Sequence, residues 1–83
     1  SKAISLPKPS FPPVARFGRA TGKVTVAIMI DGNGDVAKIV SVSGNPLLQA
    51  AAADAARRAK FSPTTKGGVP LQVTGTIVYN FNR

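Results

Sequence analysis

The sequence predicts an α+β domain: a three-stranded antiparallel sheet in spatial order 2-1-3, with a short N-terminal helix and one longer helix packed on one face. Three observations carry this. Val24, Val26, Ile28 and Ile30 alternate with Lys23, Thr25, Ala27 and Met29 ahead of a turn rich in Gly and Asn. An alanine-rich run with helical spacing follows Asn45-Pro46. The last run, 71–81, alternates again. At 83 residues there is room for one hydrophobic core.

Taken in order, residues 1–13 hold four of the seven prolines, a composition that favours extended or polyproline conformation. Residues 1–10 therefore read as the end of a Pro-rich linker and 11–83 as the domain. Pro12-Pro13 is preset for a first helical turn, which predicts a short helix over 14–19, stopped by Gly18 or Gly22.

The alternating run 22–30 is a half-buried strand. Asp31-Gly32-Asn33-Gly34-Asp35 then reverses the chain, because Gly and Asn accept positive φ, and 36–43 returns antiparallel. The Asp-x-Asn-x-Asp spacing also invites comparison with a calcium loop. Such a loop needs Gly at its sixth position and Glu at its twelfth, where this chain has Val36 and Val42. A plain turn is the better reading.

Asn45 suits an N-cap and Pro46 a first helical position. The helix predicted over 47–59 presents Leu48, Ala51, Ala52, Ala55 and Ala59 as one stripe. Arg57, Arg58 and Lys60 fall at its end, where cations complement the helix dipole. Phe61-Ser62-Pro63 ends it, and 64–69 reads as a mobile loop. Pro70 then opens the third strand, with Leu71, Val73, Gly75, Ile77, Tyr79 and Phe81 on one face. A right-handed crossover through the helix sets this strand beside the first, as an edge.

Composition excludes much chemistry. The chain has no His, Cys or Trp, no Glu, and only Asp31, Asp35 and Asp54 as carboxylates. Cysteine nucleophiles, Ser-His-Asp triads and His- or Cys-ligated metals lack their residues, and paired-carboxylate catalysis has almost no material to work with. An enzyme is the least supported class, and no cofactor or metal is expected. The formal charge is +8, but no basic run reaches five and the helix-end cluster has a structural explanation. A nucleic-acid interface would need a basic, aromatic sheet face, whereas Tyr79 and Phe81 share a face with Ile77 and Val73 and read as core. No nucleic acid is expected. No run approaches the ~20 apolar residues of a membrane helix, and no signal-peptide pattern opens the sequence. The expectation is a soluble domain, and the Ser1-Lys2-Ala3 start favours excision from a longer chain.

The last strand is unusual for an edge. From 71 to 82 it carries no charged residue, and only Pro70 and Gly75 could blunt it. Two readings stay open: a partner copy or the N-terminal segment covers it, or a peptide adds to it as a strand.

Six short motifs stand in order: Phe11-Pro12-x-x-Ala15, Gly22-x-Val24, Asp31-x-x-Gly34-x-Val36, Ser43-Gly44-Asn45-Pro46, Arg57-Arg58-Ala59-Lys60-Phe61-Ser62-Pro63 and Gly68-Val69-Pro70. Together they resemble the C-terminal domain of the TonB family, energy transducers that couple the inner membrane of Gram-negative bacteria to outer-membrane transporters. The resemblance covers about 7–82. Two positions depart from it: Ala59 stands where the family usually has Trp, and Phe11 where it usually has Tyr.

The resemblance implies a periplasmic domain of an inner-membrane-anchored protein that serves siderophore, metal or vitamin uptake. It implies that the Ton box of an outer-membrane transporter pairs along Val73, Thr74, Gly75, Thr76, Ile77, Val78, Tyr79 and Asn80. The segment before the first helix, Lys8, Pro9, Ser10 and Phe11, is implied as a second contact. An ExbB/ExbD-type motor would act through an N-terminal region beyond this sequence, and the free edge leaves room for a homodimer. The rival from the same resemblance is a TonB-like interaction module of another envelope sensor or scaffold.

Overall fold

The computed structural model describes residues 3–9 and 22–81. Among them the elements are β1 (Ala3–Ser5), β2 (Gly22–Ile30), β3 (Val36–Ser43), α1 (Pro46–Arg57), β4 (Lys60–Phe61), β5 (Thr64–Lys66), β6 (Val69–Leu71) and β7 (Val73–Phe81). The helix expected over 14–19 lies outside the described residues.

β2 is the centre of the fold because it carries the strongest alternation. Val24, Val26 and Ile28 are fully buried and Ile30 nearly so, while Thr25, Ala27 and Met29 on the other face are half-buried. The main sheet runs β3-β2-β7 with both neighbours antiparallel to β2. β7 pairs without interruption, from Gly22 opposite Phe81 to Ile30 opposite Val73. β3 does not. Its register to β2 skips Val40 and Ala37, two bulges, so the half-buried residues recur every third position as Val36, Ile39 and Val42.

Asn45 caps α1 as its residue type suggests. Its backbone is extended, and its side-chain oxygen accepts from the Leu47 N–H at 2.9 Å, with Pro46 in the first turn. Leu48, Ala52, Ala55, Ala56 and Ala59 are buried in one core with the sheet, Ala53 is also buried, and Ala51 is half-buried. The helix stops at Arg57, two residues before the expected end. Arg58 and Ala59 close the last turn with bonds to the Ala55 and Ala56 carbonyls, three residues back. Arg58 pairs with Asp54 at 3.2 Å, and Lys60 reaches across to Asp35. Both contacts are solvent-exposed, so they position side chains more than they stabilise.

The segment 64–69, expected as a mobile loop, is part of a second hairpin. Thr64, Thr65 and Lys66 pair with Leu71, Pro70 and Val69 around Gly67 and Gly68, which both have positive φ (58° and 81°). Two consecutive glycines in that conformation make the tight turn whose twist suits a hairpin. Gln72 separates this hairpin from β7, so the last strand of the main sheet starts at Val73 rather than Pro70. At the other end of the chain, β1 pairs with β4, Ala3 opposite Phe61 and Ser5 opposite Lys60.

Candidate functional site

β7 ends the main sheet, and among the described residues no strand pairs with its outer edge. In such a strand alternate residues turn both backbone N–H and C=O away from the neighbour, so about half of residues 73–80 direct their backbone groups outward. Pleating divides the side chains. Ile77, Tyr79 and Phe81 are buried and Val73 and Gly75 half-buried on the helix side; Thr74, Thr76, Val78 and Asn80 are exposed on the other. None of them is charged.

Two hollows flank this edge. The first, about 430 Å³, lies between residues 6–9 and residues 77–81. The pairing of β1 with β4 delivers the N-terminal segment to this place, and Pro7 and Pro9 lack the N–H groups that a complete ladder with β7 would use. Among the described residues Lys8 is the one charged residue lining the hollow. The second hollow, about 360 Å³, lies at the start of β7 and is lined by residues 73–76 with Ile30, Phe61 and Thr64.

Of the residues singled out in the sequence, Lys8, Pro9, Ile77, Val78, Tyr79 and Asn80 thus surround one hollow, and Val73, Thr74, Gly75 and Thr76 border the other. Ser10 and Phe11 lie outside the described residues. Sequence reasoning passed over Leu6, Pro7, Phe61 and Phe81. Leu6, an apolar residue beside a proline, was the signal available in the sequence for the first pair.

The Tyr79 hydroxyl is buried with no hydrogen-bond partner among the described residues. Burial pushes its pKa above the ordinary 10.0, and the nearby positive charge of Arg58 pulls it partly back. The phenol stays neutral and serves packing.

Asp31, first of the spaced carboxylates in the β2–β3 turn, caps its own loop, accepting at one oxygen from the Asn33 N–H at 2.9 Å and the Asp35 N–H at 3.0 Å. Among the described residues no three His, Cys, Asp or Glu side chains gather as a metal site, and no helix is long and apolar enough to cross a membrane.

Residues 7–82 match the family model of the Gram-negative bacterial TonB protein C-terminal. The chain belongs to this family. A search of curated proteins finds no match. The TonB C-terminal family is a periplasmic interaction and transduction family, not an enzyme family, and its partners are TonB-dependent receptors of the outer membrane.

In this TonB-type domain the motif residues have visible structural work. Gly44, with φ of 127°, lies so close to β2 that a Cβ would stand 2.7 Å from the Lys23 carbonyl oxygen. Ala59, where the family usually has Trp, is fully buried, so the core has closed around the methyl group.

Proposed function

We propose that this TonB-type domain grips the Ton box of an outer-membrane transporter as a strand added along β7. In this reading it is the periplasmic end of an inner-membrane-anchored transducer, and it passes the pull of an ExbB/ExbD-type motor to a transporter of siderophores, metals or vitamins. Residues 1–10 are then the last part of the spacer that carries the pull, and 11–83 form the gripping domain. The observation that carries the reading is the β7 edge: nine uncharged residues, with no described strand beside their outer side and the 430 Å³ hollow alongside.

Backbone pairing suits this task because it tolerates varied peptide sequences. About five hydrogen bonds at a net ~0.5–1.5 kcal/mol each, less the cost of ordering the peptide, give weak and reversible binding. A grip that must be released after each pull needs that weakness.

The test is an amide NMR titration with a Ton box peptide. Shifts are expected first at residues 73–80 and at Lys8. Shifts confined to Arg57, Arg58 and Lys60 would point to charge-driven contact and end this reading.

A further inference from the structure

The row of β7 side chains that faces the helix layer is interrupted at Gly75. Ile77, Tyr79 and Phe81 continue the row under the helix and are buried. At Gly75 the row has a gap whose floor is Ile30: a Cβ there would stand 3.2 Å from Ile30 Cδ1 and 3.8 Å from Ile28 Cγ1. The gap belongs to the 360 Å³ hollow that Phe61, Thr64 and Val73 also line. Thr74 and Thr76, which point to the opposite face of the sheet, line it too. A hollow touching residues of both faces reaches the margin of the strand itself, where an added strand would lie.

Resting on the strand-addition reading, we propose that this notch receives one aliphatic side chain of the added strand, making Gly75 and Phe61 specificity-determining residues. The chemistry follows from the lining. Ile30, Phe61 and Val73 offer apolar contact, and among the described residues no lining residue is charged. A Val, Ile or Leu side chain would leave water for apolar surface, whereas Asp or Lys would lose hydration and meet no counter-charge. Side chains of an added strand alternate between the two faces, so the notch reads a single position while the backbone holds the rest. The domain therefore selects at one place within an otherwise permissive grip.

An eight-residue Ton box peptide is the probe, with each residue replaced in turn by Ala and by Asp, titrated against the intact domain and against Gly75→Ala. One aliphatic position should lose about tenfold in affinity as Ala and far more as Asp. That sensitivity should shrink to under about threefold in Gly75→Ala, whose methyl group intrudes on the notch. If Gly75→Ala does not fold, Phe61→Leu replaces it, and the preferred side chain should then become larger. Equal sensitivity at all positions, or no coupling to Gly75 or Phe61, overturns the notch while β7 amide shifts still uphold strand addition. Absence of β7 shifts with any peptide overturns both.

Discussion

Gly34 and Phe61 meet backbone to backbone. The Phe61 N–H donates to the Gly34 carbonyl at 2.8 Å, and a Cβ on Gly34 would stand 1.9 Å from the Phe61 carbonyl oxygen. Gly34 also has a φ of 87°. The contact joins the β2–β3 turn to the chain leaving the helix, beside the Asp35–Lys60 pair, and only a glycine fits it.

Gly34→Ala should therefore cost about 3 kcal/mol or more, combining the positive φ with displacement of main chain that has no other place to go. In a domain of this size that lowers Tm by at least about 10 °C. Thermal unfolding by circular dichroism measures it, and a change under about 2 °C would show that the two segments separate freely.

Ala59→Trp, which restores the usual family residue, should destabilise. Ala59 has no exposed surface, and the helix reaches the sheet through small side chains, so an indole would force neighbours off their rotamers. A loss of about 1–3 kcal/mol in urea unfolding is expected. A gain would mean that the core holds room for the ring.

Tyr79→Phe should be neutral or stabilising at pH 7, because it removes a buried hydroxyl that has no partner among the described residues. The two proteins should diverge in alkali. Burial raises the folded-state pKa of Tyr79 above 10.0, so above pH 10 the unfolded chain loses its phenolic proton first and stability falls as pH rises. Below pH 10 this group contributes no slope. Urea midpoints at pH 8 and pH 10.5 should show a smaller alkaline loss for Tyr79→Phe, and equal losses would remove Tyr79 as their source.

Leu6→Ser tests the wall opposite β7. Leu6 is 47% exposed and lines the hollow, so stability should change by no more than about 0.5 kcal/mol. Ton box peptide affinity should fall about three- to tenfold through lost apolar contact. Unchanged affinity would restrict the peptide to the strand edge.

Features governed by neighbours in the chain were legible. The cap at Asn45, the reversal at 31–35, the alternation of β2 and the uncharged run of β7 are local patterns, and local sterics and pleating produce them. The β5–β6 hairpin was legible in principle, since paired glycines between Thr64-Thr65-Lys66 and Val69-Pro70-Leu71 signal a tight turn, but glycine also reads as freedom. The bulges at Ala37 and Val40 were not legible, because a bulge is a relation between two strands.

By itself the sequence determined a β-rich domain with a capped alanine helix, no His, Cys or Glu, and a last strand without charge. Its family followed from short motifs whose glycines and prolines answer to backbone geometry. Only the tertiary structure decided what stands beside that strand. The β1–β4 pair carries residues 6–9 to one end of β7, and Phe61 and Ile30 enclose the gap at Gly75 at the other. Both hollows join residues dozens of positions apart, and a periodic pattern registers only neighbours within a few residues.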